Sequence, residues 1–395
     1  MKSAERMKYF RPSVFSRLDE EKRRLQEKGE KIIDFSIGSP DIAPAPHIME
    51  ALLKAAEDPA NYRYAIHDLP RLQQAITDWY RRRYDVELDP CSEVITLQGS
   101  QEALANIALT LCDPGDIVLV PDPYYPIFAQ GPKLAGADVR FMPMKEENDF
   151  LIRFDEISEE VAKKAVLMIV SYPNNPTGAI LSEKTLAALG DFLRQKEALY
   201  AKEIYLISDE PYREIVYDGH RAAFPADYYE DTILCYSYSK SLSLPGERIG
   251  YILVSPRAKS REDLFAAICG AGRSLGYVCA PSLLQRVVAE NQGARANFEI
   301  YARNRELLLT NLQSFGYSFI KPEGAFYLFL AAPDGDGTAF SEAAKKYELL
   351  LTPSDSFGMK GYVRLSYCIS TEAVLRSLPA FRALAADYGI LPEQE

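Results

Sequence analysis

Between Leu69 and Val254, short apolar runs alternate with longer stretches of helical spacing, and this alternation limits the possible folds more than any other feature. The pattern predicts a helix over Leu69–Tyr84, a strand over Glu93–Leu97, a helix over Gln101–Leu111 and a strand over Ile117–Val120. Strands follow at Val139–Met142 and Val166–Tyr172, then a helix at Glu183–Gln195 and strands at Ile204–Ser208, Thr232–Tyr236 and Ile249–Val254. Strands that are apolar throughout need cover on both faces. The expected class is therefore α/β, with a mainly parallel sheet between layers of helices.

The character changes after a long helical stretch from Pro281 to Phe315. Short strands are expected at Tyr317–Ile320, Ala325–Leu330, Leu349–Leu351 and Tyr362–Ser366, with helices among them, which describes a smaller α+β domain. Near the start, Val14–Gly29 reads as an amphipathic arm and Ile32–Gly38 as a strand that joins the small domain. A chain of 395 residues exceeds one small core. The expected division is 1–45 for the arm and part of the small domain, 46–285 for the large domain and 286–395 for the small C-terminal domain.

Composition excludes several function classes. A net charge of −11 argues against general nucleic-acid binding, which needs a basic face. No apolar run approaches membrane-spanning length and no signal-peptide core precedes the fold, so a cytoplasmic protein is expected. The six cysteines form no Cys-x-x-Cys pair and the three histidines lie far apart, which speaks for free thiols and no metal site.

Chemistry-bearing residues recur where apolar runs end. Lys240 follows Thr232–Tyr236 in Ser237-Tyr238-Ser239-Lys240, with Arg248 eight residues on. An amine in a dry pocket loses basicity and can form a Schiff base, and serines with an arginine can bind a phosphate. An aldehyde that carries a phosphate is pyridoxal phosphate (PLP). Gly99-Ser100-Gln101 joins a strand to a helix, where free N–H groups suit a phosphate and where Ser100 would equally serve as a helix cap. Asp122-Pro123-Tyr124-Tyr125-Pro126 can lay a tyrosine against an aromatic ring or pack it in the core.

Tyr172-Pro173-Asn174-Asn175-Pro176-Thr177-Gly178 follows another run; its prolines restrict the backbone and leave the Asn175 amide to donate to a phenolate oxygen. Asp209, in Ile207-Ser208-Asp209-Glu210-Pro211-Tyr212, can keep a ring nitrogen protonated or cap a turn. Arg364 lies inside an apolar strand, where its planar fork matches a substrate carboxylate or a structural acid. Taken together, these strand ends face the carboxyl edge at which open α/β sheets bind ligands.

On these motifs the chain resembles the class I/II aminotransferases of PLP fold type I, in the bacterial aspartate, aromatic and LL-diaminopimelate branch. The resemblance rests on Asn175–Gly178, Asp209–Tyr212 and Ser237–Lys240, in that order, and extends from Ile37 to Arg364. It implies a seven-stranded-type sheet in the large domain and an internal Schiff-base lysine at Lys240. Asp209 would meet the pyridine nitrogen, Asn175 and Tyr212 the phenolic oxygen, and Tyr125 the ring face. Ser100, Gln101, Ser237 and Arg248 would hold the phosphate. Arg364, with Gly38 and Asn175, would bind the substrate. The family's homodimers send a tyrosine into the partner's site, here Tyr64 or Tyr62. The following His67-Asp68-Leu69-Pro70 departs from the glycine that relatives often carry before Leu/Ile-Pro.

The implied reaction is ping-pong transfer of an amino group from an L-amino acid to a 2-oxo acid, with Lys240, Asp209 and Tyr212 catalytic. The alternative enzyme is a PLP-dependent carbon–sulfur β-lyase, and a PLP-binding regulator would need a DNA-binding segment. Arg273 falls where some relatives recruit a cation for a second carboxylate, and reads equally as a surface charge.

Overall fold

The computed structural model describes residues 4–10, 13–148 and 150–392. In chain order its strands are β1 (Ile33–Asp34), β2 (Val94–Leu97), β3 (Ile117–Asp122), β4 (Asp138–Pro143), β5 (Ala165–Ser171) and β6 (Tyr205–Asp209). They continue as β7 (Thr232–Ser237), β8 (Gly250–Val254), β9 (Tyr327–Ala331), β10 (Leu349–Leu350), β11 (Thr352–Pro353) and β12 (Tyr362–Ser366). Seven of them form one sheet in the order β2-β8-β7-β6-β5-β3-β4. All neighbours in it are parallel except at β8, which runs antiparallel to both β2 and β7. A "mainly parallel" sheet is therefore the observed one.

Side chains alternate across this sheet as a pleated strand requires. Leu167, Ile169, Ile207, Ile233 and Ile252 face one side, against Leu104 and Ile107 of helix Ser100–Leu111. Leu234, Tyr236, Tyr251 and Leu253 face the other, against Leu72, Ile76 and Tyr80 of helix Pro70–Tyr84. Both faces are dry, which explains why the strands carry no polar alternation.

A second core surrounds the antiparallel sheet β11-β12-β9 and includes Ile33 and Phe35 from near the start of the chain. β1 lies parallel to β10, pairing Ile33 with Leu349. The strand expected over Ile32–Gly38 thus shrinks to two residues, because the chain turns toward the cavity described below. Tyr317–Ile320 forms a single bridge, Phe319 to Leu330, rather than a strand; Pro322, which lacks an N–H, closes off further pairing. The helical stretch 281–315 divides into Ser282–Glu290 and Glu299–Ser314. Gly293, at φ +89°, lies in the break.

Candidate active site

The C-terminal ends of β5, β6 and β7 open onto a cavity of about 300 Å³. Its wall contains Lys240, Asp209, Tyr212, Asn175, Tyr125, Ser100, Gln101, Ser237, Arg248, Gly38 and Arg364, all expected from the sequence. Tyr64 is not in that wall: it is 85% exposed, as Tyr62 is at 65%. Arg273 is exposed and lines a separate cavity with Asp68 and Glu102.

Lys240 belongs to a short helix, Tyr238–Ser241, that leaves the end of β7 and is capped by the Ser237 hydroxyl accepting from the Ser239 N–H. This turn carries the amine over the cavity, where Nζ donates to the Gly38 carbonyl at 2.6 Å. Burial brings its pKa down to about 8, and the cations Arg364 and Arg248 push the same way. Gly38 must be glycine, since a Cβ there would collide with the Tyr327 ring.

Asp209 ends β6 on the cavity face and is 5% exposed. Its Oδ1 has no hydrogen-bond partner, an uncommon state for a buried carboxylate oxygen. Burial, with the adjacent Glu210 adding to it, raises its pKa to about 7, against the Ser100 and Ser171 hydroxyls. The site therefore holds an acceptor waiting for a donor.

A cradle for an anion lies beside it. Helix Ser100–Leu111 begins with Gly99 as its capping residue, so Ser100 is the first helical residue and not the cap considered above. Gly99 sits at φ +83°, and a Cβ there would meet the Arg248 guanidinium. Arg248, itself at φ +52°, donates to the Pro245 carbonyl at 3.1 Å and reaches the Ser239 hydroxyl at 3.5 Å. A left-handed arginine costs about 1 kcal/mol, and such outliers concentrate at ligand sites.

At the opposite end Arg364, on β12, is 1% exposed. Its guanidinium donates to Asn175 Oδ1 at 2.9 Å and to the Ser36 carbonyl at 2.7 Å, leaving Nε unpartnered. Tyr327, Phe357 and Phe15 surround it with ring centroids 4.5, 4.8 and 5.2 Å away. Tyr212 and Tyr327 share a hydroxyl hydrogen bond of 2.6 Å, and Gln101 donates to the Tyr125 hydroxyl at 2.8 Å.

Phe15 and Tyr327 were not expected from the sequence, and Ser239 was expected only as one of the serines beside Lys240. Ser239 had a signal, because it lies inside the Ser-x-x-Lys segment. Tyr327 is hidden in an apolar run and Phe15 in a charged helix, so neither offers a local cue.

Comparison with known proteins agrees with this geometry. The family model for aminotransferase class I and II matches residues 30–380. The chain belongs to the class I and II aminotransferases. An LL-diaminopimelate aminotransferase of Dehalococcoides mccartyi is 34% identical over 96% of this chain and 97% of its own length. One from Moorella thermoacetica is 33% identical over 97% of this chain and 98% of its own. Among solved structures, an amino transferase from Eubacterium rectale superposes with a TM-score of 0.92 at 37% identity, covering 98% of this chain and 99% of that one. A Thermus thermophilus aspartate aminotransferase mutant gives 0.87 at 26% identity, covering 97% and 100%. The aminotransferase therefore has PLP fold type I and moves amino groups between amino acids and 2-oxo acids. The relatives lend no support to the β-lyase alternative.

Among the described residues no helix is long and apolar enough to cross a membrane. No group of three or more His, Cys, Asp or Glu side chains among them is placed to hold a metal ion.

Proposed function

We propose that this aminotransferase binds PLP in the Lys240 cavity and that the sequence-derived residues hold it. The single observation that carries the reading is the pairing of a buried amine of lowered pKa with an orphaned Asp209 oxygen in one cavity. Asp209 would accept from the ring nitrogen, Tyr125 would lie against the ring, and Asn175 and Tyr212 would meet the phenolic oxygen. Ser100, Gln101, Ser237, Ser239 and Arg248 would hold the phosphate over the helix N-terminus, where dipole and free N–H groups favour an anion.

Bound PLP would supply an aldehyde for amine exchange and a ring that withdraws electrons from the substrate's α-carbon. Arg364 would take the α-carboxylate in its planar fork, with Gly38 close by, and so present the α-hydrogen to Lys240. Lys240, neutral in a useful fraction because its pKa is about 8, would remove that proton and later return it. Asp209 would keep the ring nitrogen protonated throughout. The aromatic wall of Phe15, Tyr327 and Phe357 keeps water away from Arg364, which strengthens its grip on a carboxylate.

The enzyme is further proposed to be a cytoplasmic homodimer in which Tyr64 or Tyr62 reaches the partner's phosphate. Tyr62 already donates its hydroxyl to the Ala56 carbonyl at 2.9 Å, which favours Tyr64. LL-diaminopimelate and aspartate, named by the relatives, come first among amino donors to test.

The test adds single amino acids to the PLP form and follows conversion of the cofactor to its amine form. A true donor yields its oxo acid without ammonia; release of pyruvate and ammonia together would indicate lyase chemistry instead. Lys240→Ala should abolish turnover, and full activity in that variant would overturn the assignment.

A further inference from the structure

A second charged group lies behind Asp209, on the sheet face turned away from the cavity. The extended chain sends Asp209 to one face and Glu210 to the other, beside Ser208, whose hydroxyl donates to Glu210 Oε1 at 2.8 Å. Glu210 is 3% exposed and Arg213 1%. Arg213 Nη1 donates to Glu210 Oε2 at 2.9 Å and to the Tyr80 hydroxyl at 2.6 Å, while Nη2 donates to the Tyr251 hydroxyl at 2.9 Å. The guanidinium also lies over Tyr236 and Trp79, 4.4 and 4.7 Å from their ring centroids.

We propose that Glu210, held as a buried anion by Arg213, is a positioning residue that acts through Asp209: its charge makes the Asp209 carboxylate a stronger hydrogen-bond acceptor for a protonated cofactor ring nitrogen. This rests on the reading that Asp209 meets that nitrogen. A carboxylate so deeply buried survives as an anion only with a hydrogen-bonded cation, and Arg213 is fixed in that task by two tyrosine hydroxyls and two aromatic faces. Such a cage, although it leaves Arg213 Nε without a hydrogen bond, is more than a turn after a strand requires.

Around Asp209 stand the Ser100 and Ser171 hydroxyls, Cys235 of β7 and Tyr125. Of the groups that act on it, Glu210 is the like charge, and it pushes in the same direction as burial. Around Glu210 stand Arg213, Glu214, Tyr80, Tyr84 and Tyr251. Glu214 is tied through Oε2 to Arg83 at 2.8 Å and Arg295 at 3.2 Å, while its Oε1 lies 3.5 Å from Arg213 Nε, so Arg213 faces both acids and holds Glu210 more closely, at 2.9 Å.

The experiment titrates the full chain carrying ¹³C-labelled aspartate carboxyls, with Asp209→Asn assigning the Asp209 resonance. Glu210→Gln should lower the Asp209 midpoint by about 0.5–1 pH unit, the scale expected for one nearby charge. Glu210→Gln combined with Arg213→Met should lower it as well, and it leaves no unpaired buried cation that would compromise folding. Glu210→Asp keeps the charge and should restore the midpoint. In the PLP-loaded enzyme the pH midpoint of the cofactor's visible absorbance should shift in the same direction. A purely structural role would change melting temperature and leave both midpoints in place. An unmoved Asp209 midpoint, in whichever Gln variant keeps a cooperative thermal unfolding transition, overturns the proposal. If the wild-type chain takes up no PLP, the proposed function fails, while the carboxyl titration still decides the role of Glu210.

Discussion

Lys240 is the residue whose chemistry depends most directly on its surroundings. A lysine in water holds its proton until about pH 10.4. Here burial disfavours the charged form and lowers the pKa to about 8, so raising the pH through that value creates the neutral amine. Capture of PLP by the cofactor-free chain, trapped by borohydride reduction at Lys240, should therefore rise with pH and level off above about 8. A midpoint at the value of an ordinary lysine would contradict the burial account. Lys240, Asp209 and Asn175 were legible because each ends an apolar run, where a polar side chain needs a reason. Arg364 was legible because it interrupts one. Phe15 and Tyr327 were not, since their place around Arg364 depends on contacts between distant parts of the chain.

At the scale of elements, the start of helix Ser100–Leu111 carries the phosphate argument, and Gly99 controls it. Its φ of +83° disfavours any residue with a Cβ, and that Cβ would also displace Arg248. Gly99→Ala should weaken PLP binding by about tenfold or more, read as cofactor lost on dialysis, with a smaller effect on the melting temperature of the cofactor-free chain. Equal retention of cofactor would show that Arg248 is not needed where it stands. The strands of the large sheet were readable because both faces are buried, and the run of apolar residues survives without alternation. Helix Arg261–Ser274 escaped notice for the opposite reason. It buries only Leu264, Ile268 and Gly272, a narrow stripe ending in a glycine that fits against Asn106. The antiparallel course of β8 was equally silent, because strand direction leaves no mark on composition.

Across the whole molecule, the cavity draws its wall from distant parts of the chain: Phe15 from the arm, Gly38 beyond β1, the ends of β5 to β7, and Arg364 of β12. No single segment contains the site, so the proposed contribution of a second subunit would continue the same logic. Tyr64 stands 85% exposed beside Ile66, itself 59% exposed, which is an unusual outlay of apolar surface unless something covers it. If Tyr64 serves the partner's phosphate, each active site takes Lys240 from one chain and Tyr64 from the other. Tyr64→Ala and Lys240→Ala homodimers should then both be weak or inactive. Co-expressed, they would give hybrids with one doubly damaged site and one intact site. Random pairing makes half the dimers hybrid, so the mixture should recover about a quarter of wild-type activity. Were each site built from a single chain, mixing would yield only the average of the two parents. The recovered fraction thus reports directly whether the tyrosine crosses between subunits.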